Sequence, residues 1–248
     1  MIVLVVRKRR LPIFLVLLIF FMVLTCLIWK VGQNQPQPCV QPQDVIGEVE
    51  TSIKAVAFTF DDGPSPQGTR GILNVLAQHQ AKATFFMVGT QIEKYPHLVK
   101  EVQLAGQEIG NHSYSHDYNI WDNPEVAIQD LKKSEQLIYT LTGQRPFLYR
   151  PPGGFINEKM MEASKEHNFR IVTWSWIQDT KDWKSPPAER QAAHIIKHIK
   201  PGQILLFHDG WGDRSQTIKA VDICMEKLSA QGYQFVTVSE LIRLENQE

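Results

Sequence analysis

From about residue 53 onward, short apolar runs alternate with amphipathic stretches. The runs Ala55–Phe60, Ala83–Val88, Gln107–Asn111, Phe147–Arg150, Arg170–Trp176, Gln203–Phe207 and Gln234–Val238 have the length and character of buried strands. Segments with helical spacing lie between them. The clearest spans Glu125 to Thr142, where Asp122 or Asn123 can cap the start and Pro124 suits the first turn. Ile128, Leu131, Leu137, Ile138 and Leu141 then form one apolar stripe, and Gly143 stops the helix. Seven such alternations predict an α/β domain, with a parallel sheet and outer helices arranged as a barrel or a doubly wound sheet.

The first thirty residues follow another rule. Arg7-Lys8-Arg9-Arg10 precedes a charge-free stretch from Leu11 to Trp29. At ~1.5 Å per residue, this length matches a ~30 Å hydrocarbon layer. The basic flank predicts a single-pass anchor with a cytoplasmic N-terminus and the rest of the chain outside the cell membrane. A secretory signal removed by cleavage is the alternative, and Leu24-Thr25-Cys26 faintly resembles a lipoprotein cleavage box. Residues 31–52 read as a Gln/Pro-rich linker, leaving 53–248 as the catalytic domain.

Charge and cysteine content narrow the function classes. The chain carries 26 basic and 26 acidic residues, and removing Arg7, Lys8, Arg9, Arg10 and Lys30 leaves 21 basic against 26 acidic. A mildly acidic outer domain argues against nucleic acid as a partner. Cys26, Cys39 and Cys224 suggest neither a disulfide framework nor a thiolate metal site. No protein partner is inferred.

The candidate chemistry gathers where apolar runs end. Asp61-Asp62, His112, Arg150, the Asp179–Trp183 segment and His208 each follow a strand-like run. In parallel α/β folds these ends share one face. Two histidines and one carboxylate can hold a catalytic divalent metal and leave a position open for water. On an extended segment Asp61 and Asp62 point to opposite sides, so one would bind metal while the other approaches the water as base. Asp-Asp-Gly-Pro is also good turn chemistry. His112 and His116, four apart, would share one side of a helical turn. His194 and His198 have the same spacing inside a predicted helix without a nearby carboxylate, and read as a solvated face. His79, His97 and His167 are isolated. Among the aromatics near the motifs, Tyr114, Trp121, Trp174, Trp176, Trp183 and Trp211, only Trp183 and Trp211 are favoured as site residues.

Thr59-Phe60-Asp61-Asp62-Gly63 and His112-Ser113-Tyr114-Ser115-His116 resemble the first two motifs of the polysaccharide deacetylases, carbohydrate esterase family 4. Arg150-Pro151-Pro152-Gly153-Gly154, Asp179-Thr180-Lys181-Asp182-Trp183 and Leu206-Phe207-His208 match later motifs in order. The resemblance covers about Ile53 to Leu244. It implies a deformed (β/α) barrel of about seven parallel strands, behind the one N-terminal transmembrane helix, and a divalent metal, usually zinc with cobalt or manganese as alternatives, held by Asp62, His112 and His116. It further implies Asp61 as base, Arg150 holding Asp61, and His208 as acid tuned by Asp182. Trp183 and Leu206 would line the acyl pocket. Where the family often has an aromatic residue this chain has Gly153, which keeps the backbone donor for the oxyanion but removes a side chain from the cleft wall.

These readings lead to a membrane-tethered hydrolase that removes N-acetyl groups from glycans outside the cell, with peptidoglycan as the expected polymer. Chitin oligomers, an exopolysaccharide or O-acetylated xylan would suit the same chemistry. From a different class, the chain could be a glycan-binding domain without catalysis.

Overall fold

The computed structural model describes residues 45–245. The expected membrane span, Cys26 and Cys39 lie outside them. Among the described residues no helix is long and apolar enough to cross a membrane.

The seven expected apolar runs each contain a strand, and all pair in parallel. Strand β1 (Ala55–Asp61) lies between β2 (Ala83–Met87) and β6 (Ile204–His208). Beyond β2 come β3 (Glu108–Asn111), β4 (Leu148–Tyr149) and β5 (Arg170–Ile171), while β7 (Gln234–Phe235) pairs with Ala55 and Val56 at the start of β1. The helices are α1 (Gly68–Gln78), α2 (Gly89–Lys94), α3 (Pro96–Leu104), α4 (Pro124–Thr142), α5 (Glu158–Glu166), α6 (Ala188–His198), α7 (Ser215–Ser229) and α8 (Val238–Arg243). Helix α4 is capped as expected. The Asn123 side chain accepts from the Val126 N–H, Pro124 opens the first turn, and Gly143 closes the helix at φ 71.

Because β1 is buried along its whole length, its alternation sorts side chains between two cores. Val56, Phe58 and Phe60 pack outward with Phe85, Met87, Leu205 and Phe207 and with the apolar faces of the surrounding helices. Ala55 and Ala57 point inward, to a second core with Phe86, Ile204, Leu206, Trp174 and residues Val238, Leu241 and Ile242 of α8. Each large side chain buried this way contributes ~1.5–3 kcal/mol, so the strands that carry the site are firmly placed. Thr59 and Asp61 continue the inward register of β1, and His208 continues that of Ile204 and Leu206 in β6. The register pairs Asp61 with His208.

Three differences from the sequence expectation have local causes. The 170–176 run forms a strand only over Arg170–Ile171; beyond it Trp174 is buried, whereas Trp176 opens a single 3-10 turn and is 70% exposed. The last run stops at Phe235 because Thr237 caps α8 in a capping box with Glu240. Finally, Ile46–Val49, part of the expected linker, belong to the curled sheet. Ile46 donates to the Ile171 carbonyl at 3.0 Å and accepts from the Thr173 N–H at 2.8 Å, and Val49 donates to the Gly202 carbonyl at 2.9 Å. These residues bridge β5 and β6 and bury Ile46 and Val49 in the inner core. Four residues behind a Gln/Pro-rich stretch are too few to show a period.

Candidate active site

Strand β1 runs extended to Asp61 and then changes hand. Asp62 has φ 73, outside the strand region and uncommon for any residue but glycine. An unbroken strand would turn Asp62 away from Asp61. The left-handed residue brings both carboxylates to one pocket instead, with Asp61 Oδ2 at 3.8 Å and Asp62 Oδ1 at 3.4 Å from His112 Nε2. The expectation of opposite sides is therefore corrected.

The histidine motif is likewise a tight loop and not a helical turn. Ser113 and His116 have φ 65 and 58. The Asn111 side chain accepts from the Ser113 N–H at 2.9 Å, and Ser113 Oγ accepts from the His116 N–H at 2.9 Å. From α4, the Asp130 carboxylate accepts from the Tyr114 and Ser115 N–H groups at 2.6 and 3.0 Å. The loop thereby presents His116 Nε2 at 3.1 Å from Asp62 Oδ1.

These three residues suit a divalent metal. Asp62, His112 and His116 each offer one ligand atom, all within 4.8 Å of one another, the one such group among the described residues. Asp62 Oδ1 is buried and accepts no hydrogen bond, a state that costs free energy unless something positive lies against it. His112 Nδ1 sits 2.7 Å from the Arg150 carbonyl, which places a ring proton there and turns Nε2 toward Asp62. Burial works against charge on Asp62, but contacts with His112 and His116 outweigh it and hold the carboxyl well below the usual range. Burial also works against a charged His112, and the Asp61 and Asp62 carboxylates outweigh that.

Arg150 is the largest side chain with no exposure. Its Nη1 donates to Asp61 Oδ1 at 2.8 Å and to Thr59 Oγ1 at 2.7 Å, and its Nη2 donates to the Thr173 carbonyl at 2.7 Å. The guanidinium lies over the Phe86 ring at 4.2 Å. One residue thus fixes Asp61 through its side chain and His112 through its carbonyl.

His208 Nδ1 is 2.7 Å from Asp182 Oδ1, and Asp182 Oδ2 accepts from the His208 N–H and the Thr217 hydroxyl at 2.9 Å each. Burial opposes charge on His208, but the hydrogen bond and charge of Asp182, with Asp62 and Asp61 adding, raise it to about 9. The ring is therefore protonated at neutral pH and able to donate. Asp209 was not singled out from the sequence. It is fully buried, accepts from the Thr69 hydroxyl at 2.5 Å, and is pushed up to about 7 by burial and by Asp62 and Asp61. Asp130, Asn111 and Thr59 were also missed. Asn111 and Asp209 directly adjoin motif histidines, a usable signal, whereas Asp130 lies on a polar helix face with nothing to mark it.

Leu206 is buried beneath the site, while Trp183 and Trp211 are 52% and 43% exposed. Trp211 packs edge-on against His116, with ring centroids 4.7 Å apart. Trp121 is buried and donates to the Tyr149 hydroxyl at 3.1 Å, and Tyr114 bonds to Glu93, so neither ring is free. Gly153 lies at φ 67. The comparison pair behaves differently from His112 and His116: His194 Nε2 meets the Ile177 carbonyl at 2.6 Å and His198 Nδ1 the His194 carbonyl at 2.9 Å.

The sequence profile of polysaccharide deacetylases matches residues 48–172. The chain belongs to that family. A peptidoglycan-N-acetylglucosamine deacetylase of Bacillus cereus is 43% identical over 199 residues, covering 80% of this chain and 93% of the relative. A crystal structure of a peptidoglycan N-acetylglucosamine deacetylase, in complex with 4-naphthalen-1-yl-N-oxidanyl-benzamide, superposes with a TM-score of 0.77 at 34% identity over 82% of this chain and 95% of its own. A family 4 pseudoenzyme from Bacillus anthracis is similar too, with a TM-score of 0.76 at 28% identity over 83% and 71% of the two chains. The chain is thus similar both to proteins named for catalysis and to one named for its loss.

Proposed function

We propose that the chain is a metal-dependent hydrolase that removes N-acetyl groups from peptidoglycan amino sugars, acting outside the cell from an N-terminal membrane anchor. The observation that carries this reading is the buried Asp62 Oδ1, held between two imidazole nitrogens at 3.1 and 3.4 Å. Beside it stand a carboxylate locked by Arg150 and an imidazolium locked by Asp182. Names of similar proteins support peptidoglycan as the polymer.

In this reading Asp62, His112 and His116 hold the metal, most suitably zinc, although cobalt or manganese fits the same donors. The ion would supply a water acidic near neutral pH and a positive charge facing the oxyanion. Asp61 takes the proton of the attacking water, its geometry fixed by Arg150. The backbone N–H of Gly153 would donate to the developing oxyanion, as the family resemblance implies. His208 gives its proton to the amine nitrogen as the C–N bond breaks, and Asp182 keeps it charged until then. Acetate and a free amino sugar are the products. Leu206 and Trp183 border the acyl group, and Trp211 meets the sugar.

The test is acetate release by the full chain from peptidoglycan, chitooligosaccharides and acetylated xylan in parallel, with zinc, cobalt or manganese supplied. Release from peptidoglycan above the other two supports the reading. Preference for another polymer keeps the chemistry and replaces the substrate. Glycan binding with no acetate under any metal would place the chain with the pseudoenzymes.

A further inference from the structure

Gly153 marks a gap that two other rings have filled. A Cβ built at this position would meet Phe155 Cε2 and Tyr118 Cε1, each at 2.8 Å. No larger side chain fits there with the rings as they stand. Phe155 and Tyr118 meet edge to face with centroids 6.2 Å apart, and Tyr118 in turn packs edge-on against His116 at 5.1 Å. Both remain largely open, Phe155 at 66% and Tyr118 at 57% exposure. On the far side Trp174 occupies the space beside Gly154, where an added Cβ would lie 2.6 Å from its ring.

Two adjoining exposed aromatic rings beside a polar site form an apolar patch of the kind that ligands cover. The rings lie one and two steps outward from a proposed metal ligand. That is where the sugar neighbouring the reacting residue of a chain would sit, and a pyranose offers a face of C–H groups that suits an aromatic ring. A free monosaccharide seated at the metal would not need the outer ring. We propose that Phe155 and Tyr118 form a stacking wall for the neighbouring pyranose of a glycan chain, taking over at Gly153 the place of the side chain that glycine lacks. This assignment rests on the deacetylase reading and deepens it, making Phe155 a residue that selects polymer over monomer.

The full chain and its Phe155→Ala, Phe155→Trp and Phe155→Ala/Tyr118→Ala variants are compared with N-acetylglucosamine tetramer. Acetate release gives KM and kcat, and a tryptophan-fluorescence titration of metal-free protein gives Kd. Loss of the outer ring is expected to raise KM and Kd at least tenfold while kcat changes less than threefold, and Phe155→Trp is expected to restore both constants to within threefold. The double variant should bind no better than Phe155→Ala. KM and Kd within twofold of the unsubstituted protein in both alanine variants would overturn the wall. A fall in kcat for Phe155→Ala without a change in Kd would overturn it as well, leaving the rings as supports for His116. Should the unsubstituted protein bind tetramer but release no acetate, the proposed activity falls on its own, and the Kd comparison still decides the wall.

Discussion

Replacing Asp182 with asparagine isolates the means by which the proposed acid is kept charged. Asparagine preserves shape and can still accept from Thr217, but it removes the carboxylate 2.7 Å from His208 Nδ1. The native ring is raised from its ordinary 6.5 to about 9 against the pull of burial. At ~1.4 kcal/mol per pH unit, this favours the imidazolium by about 3 kcal/mol. In Asp182→Asn burial is unopposed by its main counterweight, so the ring titrates near or below its ordinary value. The alkaline limb of the kcat profile should then move down by roughly 2 pH units or more, and turnover at pH 8 should drop at least ~10-fold, recovering as pH is lowered. A bound cation weakens the help from Asp61 and Asp62 in both proteins, so the difference between profiles is the quantity to read. Stability carries the same sign. A raised histidine stabilises the fold fully below about pH 6.5 and loses that contribution as pH rises through about 9. Urea unfolding of metal-free protein at pH 6 and pH 9.5 should accordingly show a smaller stability difference in Asp182→Asn than in the native protein. Superimposable pH profiles would refute the reasoning.

Other perturbations read other parts of the site. Arg150→Met leaves Asp61 buried and uncompensated, and should cost roughly 3–5 kcal/mol in denaturant unfolding; Arg150→Lys should fail to rescue it, because one ammonium cannot reach Asp61, Thr59 and the Thr173 carbonyl together. Asp130→Ala removes the acceptor for two N–H groups of the histidine loop, and a competitive zinc titration should show affinity reduced ~10–100-fold with secondary structure unchanged. Ile46→Ala should lower stability by ~2 kcal/mol or more, and a chain beginning at residue 53 should lose still more, both read from thermal unfolding.

The site was legible in the sequence because chemistry sits at strand ends, and strands announce themselves. Asp61, His112, Arg150 and His208 each follow an apolar run that forms a strand, and parallel topology brings those ends together. Less legible was how neighbours on the chain come to face one point. Strand alternation places Asp62 opposite Asp61, and helical spacing stacks His112 on His116. Left-handed residues at 62, 113 and 116 override both rules; in the histidine loop, short-range bonds to the Asn111 and Ser113 side chains and long-range bonds to Asp130 from α4 hold the backbone in its tight turn. The closing segment at Ile46–Val49 was hidden for another reason. Two inward side chains establish no period, and their partners are more than a hundred residues away. Phe155 and Tyr118 were invisible as a pair because only folding brings them to either side of Gly153.

The central claim divides labour between two adjacent carboxylates, Asp62 binding metal and Asp61 moving the proton. Zinc content and acetate release of Asp61→Asn and Asp62→Asn, measured side by side on peptidoglycan, test it most directly. The account predicts that Asp61→Asn keeps one bound metal and releases no acetate above background, whereas Asp62→Asn loses the metal as well. Full turnover in Asp61→Asn, or metal retained at native affinity in Asp62→Asn, would contradict it.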